Sequence, residues 1–200
     1  MARTDSSVKP LTYAISYGFL GGPAHSRQLR KQLRKLGYTE TINLERADIV
    51  IAHSAGCWLV PDGAKAKLLV DVGMVLAQAS AHQTFRAAQR ENIRAFIRHH
   101  HIWRGIKIVL CSFYYGLVQP LRNRNIVHGA KQAQSATELP GAQTVFIANG
   151  NDPWLHSEKL QSYLITRDWA FIGLPGSHND IWEYSGRYAA IIDHYARLLA

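Results

Sequence analysis

The chain has few of the residues that build disulfide-bonded or metal-stabilised domains. Its 200 residues include only two cysteines, Cys57 and Cys111, which stand far apart and form no Cys-x-x-Cys pair. This spacing excludes a disulfide framework and a zinc-finger type of site, because both require clusters of closely spaced ligands. Two isolated thiols are compatible with a reducing compartment.

Long apolar runs are also missing. No stretch reaches the roughly 18 uninterrupted apolar residues of a membrane-spanning helix. Residues 1–10 are polar and do not resemble a signal peptide. We therefore expect a cytoplasmic protein with a short flexible amino terminus. An apolar fraction of 47% and a charged fraction of 18% favour a globular chain, and this length suits one domain with a sizeable core.

Acidic residues are scarce. Fourteen Asp and Glu accompany 23 Lys and Arg, which gives a net charge of +9. Most of the excess lies in residues 74–137, where nine basic residues accompany a single acid, Glu91. Such a charge favours acidic partners, namely an anionic lipid surface, anionic substrates or nucleic acid. No nucleic-acid-binding motif accompanies it, so nucleic acid is the least supported of the three.

Short apolar or β-branched runs alternate with helical patterns along the rest of the chain. Strands are predicted over 11–17, 39–44, 48–53, 67–72, 144–148 and 169–174, and helices over 24–36 and 181–199. The alternation predicts one α/β domain over 11–200, with a mostly parallel sheet flanked by helices. Residues 74–137 have no convincing strand and favour helices, the clearest over 75–99 and 106–118. We expect this segment to be a helical cap insertion over the carboxyl edge of the sheet.

The stretch Ala-His-Ser-Ala-Gly over 52–56 directly follows the run Ile-Val-Ile over 49–51. It resembles the nucleophile elbow of the α/β-hydrolase superfamily, in which a serine occupies a sharp strand-to-helix turn between small neighbours. Ala52 stands where glycine is commoner, which is a small departure. The resemblance implies that Ser54 is a nucleophile, and that a helix beginning at Ala55 directs N–H groups toward a developing oxyanion.

Two later loops extend this resemblance. Asp152 follows the predicted strand 144–148 in an Asp-Pro context, where the superfamily often has the acid of its triad. His178 lies in a glycine-rich loop between the last strand and the last helix, as the superfamily's catalytic histidine does. The order Ser54, Asp152, His178 is that of the α/β-hydrolases. Each residue stands just past the carboxyl end of a predicted strand, which is the edge where open α/β sheets form sites.

Each of these loops also has a plainer interpretation. The Asn-Gly-Asn-Asp-Pro run that contains Asp152 is typical of a turn, and a single loop histidine is often only solvated. The combination of three residues in the expected order is what favours a catalytic triad. Two other acids compete with Asp152. Asp180 lies only two residues past His178, and Asp168 precedes its strand and so falls at the opposite edge.

The resemblance also implies an oxyanion hole. One donor would be the N–H of Ala55, and the other the N–H of Phe19 in the glycine-rich loop after the first strand. The resemblance covers the chain except residues 1–10 and 74–137, and it implies an α/β-hydrolase fold with a reduced core. It further implies a serine hydrolase that cleaves a small-molecule ester or acyl substrate through an acyl-enzyme, with no metal and no organic cofactor.

The basic segment 74–137 allows two interpretations. Its arginines at 86, 90, 94 and 98 fall on one helical face. The face either favours acidic partners, such as anionic lipid, or is merely solvated, and the solvated interpretation is the commoner one. Residues 99–101 are three histidines, but neighbours on a helix point in different directions, so we assign them no metal site. An alternative function is a non-catalytic α/β-hydrolase-fold binding protein that docks on an acidic partner through this cap.

Overall fold

Six parallel strands form one sheet in the computed structural model, which describes residues 10–18, 21–61, 64–71, 102–118, 121, 124–125, 128, 143–152 and 170–199. In chain order the strands are β1 (Thr12–Ser16), β2 (Thr39–Glu40), β3 (Ile49–His53), β4 (Ala66–Val70), β5 (Thr144–Asn149) and β6 (Ala170–Leu174). Their order across the sheet is β2-β1-β3-β4-β5-β6, and every pair is parallel. All carboxyl ends therefore meet at one edge.

The central strands are buried on both faces, which explains their continuous apolar sequences. One face packs with the 3-10 helix Ser54–Leu59 that follows β3. The other face packs against helix α1 (Arg27–Lys35), helix α3 (Asp180–Glu183) and helix α4 (Ser185–Leu199). Helix α2 (Ile102–Val118) lies between β4 and β5 in the chain.

The six predicted strands are confirmed, with ends that differ by one or two residues, except in the second strand, which is four residues shorter. The second strand contains only Thr39 and Glu40, and β4 ends at Val70, one residue before Asp71 adopts a left-handed backbone with φ of 49°. The sequence predicted a mostly parallel sheet, and in the structure all six strands are parallel.

Two helix predictions are wrong in detail. The helix expected from Ala55 is a 3-10 helix of six residues. The closing helix expected over 181–199 is interrupted at Tyr184, which separates α3 from α4. At this break the Ser185 hydroxyl donates a hydrogen bond to the carbonyl of Trp182 at 2.9 Å. A side chain that satisfies a carbonyl at a helix end stabilises the interruption.

Most of the predicted cap insertion over 74–137 lies outside the described residues. Within it, the helix predicted over 106–118 is confirmed and begins four residues earlier, at Ile102. This helix contacts the loop after β1, because the buried ring of Tyr115 lies against Gly22 and its hydroxyl accepts a hydrogen bond from the Ala24 N–H at 3.2 Å. No helix in the described part of the chain is long and apolar enough to cross a bilayer.

Candidate active site

Ser54 stands at the end of β3, a strand whose five residues are all buried. Its backbone has a φ of 55°, which lies in the left-handed region that residues other than glycine rarely adopt. The cost of such a conformation is on the order of 1–3 kcal/mol, and it persists only where the surrounding structure enforces it. The strand and the 3-10 helix impose this sharp turn, and the Ser54 side chain is left half-buried.

The small neighbour at Gly56 is a steric requirement. A methyl group added there would lie 2.6 Å from the carbonyl oxygen of Ser16 and 2.7 Å from the carbonyl carbon of Tyr17. These are backbone atoms at the end of β1, which cannot yield easily. The hydroxyl of Ser16 also donates a hydrogen bond to the Gly56 carbonyl at 2.8 Å. The tight turn at Ser54 is therefore packed directly on β1.

The loop after β1 approaches the same turn. A methyl group added at Gly18 would lie 2.7 Å from the Cβ of Ser54 and 3.2 Å from the backbone nitrogen of Ala55. The loop after β1 therefore lies in close contact with the turn at Ser54. Ala55 is buried at the start of the 3-10 helix. Phe19, the predicted second donor, lies outside the described residues.

Asp152 and His178 form a buried pair at the same edge of the sheet. The Nδ1 of His178 lies 2.7 Å from a carboxylate oxygen of Asp152, whose side chain has no exposed surface. A carboxylate accepts, so Nδ1 donates, and in the neutral ring Nε2 then keeps its lone pair. His178 is 9% exposed and so is almost enclosed. The pair has the geometry of a histidine that an acid orients as a general base.

Backbone hydrogen bonds join the loops that carry these two residues. The N–H of Gly150 donates to the Leu174 carbonyl at 2.8 Å, and the N–H of Asn151 donates to the Gly176 carbonyl at 2.9 Å. Asp152 closes a tight turn by donating its N–H to the Asn149 carbonyl at 3.0 Å. The loops after β5 and β6 are therefore one connected unit, which brings residues 26 positions apart into contact.

His53 is a site residue that sequence reasoning did not single out. Its Nε2–H donates to the backbone carbonyl of His178 at 2.7 Å, and the two rings lie 4.6 Å apart between centroids. The Trp182 ring contacts it edge-on at 5.1 Å. Burial and the neighbouring His178 lower the pKa of His53 well below its usual value, so the ring is neutral. His53 thereby links the strand that carries Ser54 to the loop that carries His178.

Asp71 is the second residue that was missed. It follows β4 directly, and the fully buried carboxyl group accepts hydrogen bonds from the backbone N–H and the side-chain amide of Asn149, at 2.8 and 2.6 Å. Burial, then the charge of Asp152, raise the pKa of Asp71 well above its usual value. The signal was present in the sequence, because an acid ends the run Leu-Leu-Val, but the predicted strand 67–72 included it.

The competing acids differ in outcome. Asp180 accepts a hydrogen bond from the hydroxyl of Ser177 at 2.6 Å, whereas Asp152 contacts the His178 ring. Asp168 lies outside the described residues. Atoms of His53, Asp71 and His178 that could bind a metal lie within 4.8 Å of one another. Asp71 accepts hydrogen bonds from Asn149, and the two histidines are bonded to the His178 carbonyl and to Asp152, so we assign no metal to these groups.

Comparison with known proteins identifies the architecture. No protein-family model matches the chain, and no curated protein sequence matches it. Solved structures do match: a laboratory-evolved variant of a potato epoxide hydrolase is 11% identical with a TM-score of 0.66, over 94% of this chain and 93% of that one.

Two further structures are similar in extent. An N-formylmaleamic acid deformylase from Pseudomonas putida is 12% identical with a TM-score of 0.60, over 92% of each chain. A thioesterase domain from the curacin biosynthetic pathway is 13% identical with a TM-score of 0.58, over 92% of this chain and 90% of that one. At such low identity the likeness concerns the fold. Together with the all-parallel sheet, it shows that this chain has the α/β-hydrolase fold.

Proposed function

We propose that this protein is a serine hydrolase that cleaves a carboxylic ester through an acyl-enzyme, with Ser54, His178 and Asp152 as its triad. One observation carries the proposal: the buried Asp152–His178 pair lies at the edge of the sheet where β3 ends in the left-handed turn at Ser54. His53, the residue next to Ser54, contacts the His178 ring and carbonyl. The residue that precedes Ser54 thus contacts the histidine of the pair, which supports the proposal.

The roles follow from the protonation states. The Oγ of Ser54 attacks the ester carbonyl carbon while the Nε2 of His178 accepts the serine proton. Asp152 stabilises the imidazolium that forms and holds the ring in the tautomer that this step needs. The tetrahedral intermediate collapses, the C–O bond to the alcohol breaks, and His178 returns the proton to the leaving alkoxide. Water then hydrolyses the acyl-enzyme by the same route.

The oxyanion of the intermediate needs preorganised donors. The N–H of Ala55 is one, and the N–H of Phe19 is the second in this proposal. The close approach of Gly18 to Ser54 supports the assignment, because it brings the loop within reach of the reacting centre. Loss of one such donor typically costs about 3 kcal/mol in the transition state. Ester is the favoured substrate class, and an amide or a thioester is the alternative within the same mechanism.

Covalent labelling tests the proposal directly. A fluorophosphonate probe should add once to the wild-type protein, at Ser54, as read by intact mass and peptide mapping. His178→Ala should label at least about 100-fold more slowly, because the serine loses its base. Ser54→Ala should not label, whereas Ser185→Ala, a serine whose hydroxyl caps a helix end, should label as the wild type does. Folded wild-type protein that does not label would contradict the proposal.

A second experiment determines the substrate class. A panel of p-nitrophenyl esters of increasing acyl length, with matched anilides and thioesters, would show which acyl group is cleaved. We expect esters to be cleaved faster than the matched anilides, because a phenolate leaves more readily than an amine, and the ratio of ester to thioester cleavage distinguishes those two classes.

A second candidate is a binding function on anionic lipid through helix α2. This helix exposes a row of large apolar side chains, each between 40% and 64% exposed, which are Ile106, Leu110, Phe113, Tyr114, Leu117 and Val118. In sequence, the segment 74–137 that contains this helix has nine basic residues and one acid. A helix with exposed apolar groups, in a segment whose sequence is strongly basic, suits the interface of an anionic bilayer.

Vesicle co-sedimentation separates this candidate from the enzyme. Binding to mixed phosphatidylcholine–phosphatidylglycerol vesicles, but not to pure phosphatidylcholine, would support it. The double variant Leu110→Glu and Leu117→Glu should abolish that binding, while Ile42→Glu, at a fully exposed site elsewhere, should not. Ser54→Ala should bind as the wild type does. Equal sedimentation of both variants would contradict docking through α2.

A further inference from the structure

The proposed triad leaves a second buried carboxyl group without a role. Asp71 follows β4 as Asp152 follows the neighbouring strand β5, and the parallel pairing of these strands brings both loops to one edge. Asp71 has no exposed surface. One of its carboxyl oxygens lies within 4.8 Å of ring nitrogens of His53 and His178. A second acid therefore stands beside the histidine of the triad.

Asp71 is also held in place. Both of its carboxyl oxygens accept hydrogen bonds from Asn149, and the Oδ1 of Asn149 in turn accepts one from the Tyr188 hydroxyl at 2.8 Å. Asp71 has a left-handed backbone, and its N–H donates to the Ile147 carbonyl at 2.9 Å. These contacts keep the carboxyl group beside His178, whereas an exposed acid could rotate into solvent.

Two buried carboxyl groups at this distance from one histidine are electrostatically coupled. Like charges in a site of low polarity do not both ionise readily, so one group tends to hold a proton. Among the residues that the structure describes, the groups that face Asp71 are Asp152 and His178 from the neighbouring loops, His53 from β3, Cys57 from the 3-10 helix and Tyr188 from α4. Of these, only the histidines can offer a positive charge.

We propose that Asp71 is a second acid for His178, sharing one negative charge with Asp152 and carrying that charge when Asp152 is removed. The proposal rests on the proposed hydrolase function, since it concerns the same site. In the wild-type protein Asp152 is the acid that accepts a hydrogen bond directly from Nδ1. Without Asp152 that repulsion disappears, and the attraction of the imidazolium and the hydrogen bonds from Asn149 then act against burial alone, so that Asp71 ionises and stabilises the imidazolium. Asp71 is thus a positioning and charge-supplying residue that acts through His178.

A double-mutant cycle tests this proposal. We would measure the rate of fluorophosphonate labelling of Ser54 across the pH range of histidine titration in four proteins: wild type, Asp71→Asn, Asp152→Ala and the double variant. Asn suits position 71 because it tolerates the left-handed backbone. Ala suits position 152 because an Asn amide would donate to Nδ1 and impose the wrong tautomer on His178.

The effects should be strongly non-additive. Asp71→Asn alone should label within about 3-fold of the wild type, and Asp152→Ala about 10- to 100-fold more slowly. The double variant should be at least about 10-fold slower again than Asp152→Ala. The acid limb of its pH–rate profile, where labelling slows as His178 becomes protonated, should also lie at lower pH. Loss of a neighbouring negative charge lowers the pKa of an imidazolium. Asp48→Asn in the Asp152→Ala background is the matched control, and it should change neither the rate nor the limb.

The outcomes separate the two proposals. Equal rates and equal acid limbs for Asp152→Ala and the double variant would overturn the second acid and leave the triad intact. Failure of the folded wild type to label would overturn the hydrolase and this role together. Should the double variant not fold, proton NMR of Asp152→Ala decides. His178 should then titrate at or above the ordinary value of about 6.5, and a value well below it would overturn the proposal.

Discussion

The two edges of the sheet place the same side chain in opposite environments. At the amino edge, Asp48 accepts hydrogen bonds from Thr12 and pairs with Lys65 at 2.8 Å, and these partners lower its pKa to about 2. At the carboxyl edge, Asp71 is fully buried beside Asp152, and burial and that neighbour raise its pKa. One edge stabilises the charged form of an aspartate, and the other penalises it.

The difference separates an acid held by ordinary polar contacts from an acid buried in the candidate active site. Asp48 ties β1 to β3 through ordinary polar contacts that solvent also reaches. At the carboxyl edge, by contrast, two histidines and two acids form a buried cluster, and their desolvation on folding costs free energy. Clusters of buried groups with perturbed pKa values are typical of active sites. The comparison therefore predicts which edge tolerates substitution.

The largest expected effect contrasts activity at the two edges. His178→Ala should lower kcat/KM for ester hydrolysis by about 10⁴-fold, because the proposed nucleophile loses its base. Asp48→Asn should leave it within about 3-fold of the wild type, because surface contacts away from the site change activity little. Steady-state kinetics on the best p-nitrophenyl ester checks both. An Asp48→Asn enzyme as impaired as His178→Ala would remove the distinction between the edges.

The next effect concerns packing at the carboxyl edge. Gly56→Ala should destabilise the fold by about 3 kcal/mol or prevent folding, because the added methyl group meets the backbone of Ser16 and Tyr17. Gly186→Ala, in helix α4 with open space around it, should be neutral or stabilising by up to about 1 kcal/mol. Urea denaturation measures both. Equal stability of the two variants would show that the turn at Ser54 is not packed as described.

A smaller effect concerns the amino edge in acid. The pKa of Asp48 is lower in the folded chain than in the unfolded one, so its contribution to stability is complete above about pH 4 and is lost as pH falls toward about 2. Asp48→Asn should lower the free energy of unfolding by about 2 kcal/mol at neutral pH. Little difference from the wild type should remain near pH 2. Denaturation curves at several pH values check this. A difference in the free energy of unfolding between wild type and Asp48→Asn that stays constant with pH would show that the ionised form is not the stabilising one.

The smallest effect concerns His53. Its pKa is lower in the folded chain, so the unfolded chain takes up a proton first and stability falls as pH drops below about 6.5. This term is worth up to about 1.4 kcal/mol for each pH unit. His53→Gln, which keeps an N–H donor but cannot become charged, should flatten the slope. His194→Gln, at an exposed position on α4, serves as the control. An unchanged slope in His53→Gln would show that His53 is not held neutral.

Much of the fold could be predicted because local patterns carry it. The Ile-Val-Ile run of β3 and the alternation of strands and helices depend only on neighbouring residues. The break at Tyr184 could not be predicted, because it depends on a hydroxyl of Ser185 finding a carbonyl within a helical pattern that looks continuous. The early end of β4 at Val70 was missed for a similar reason. The strand ends because Asp71 adopts a left-handed backbone while its carboxyl group accepts hydrogen bonds from Asn149, which is 78 residues away in the chain.

The sequence by itself determined the parallel α/β architecture, and it placed Ser54, Asp152 and His178 after three different strands. Strand length, apolar runs and turn residues are local properties, so they can be read without coordinates. Only the tertiary structure decided which acid contacts His178, that His53 joins the strand of Ser54 to the histidine loop, and that Asp71 stands beside them. Those contacts join residues far apart in the chain. Burial and the neighbouring charges then shift the pKa values of His53 and Asp71.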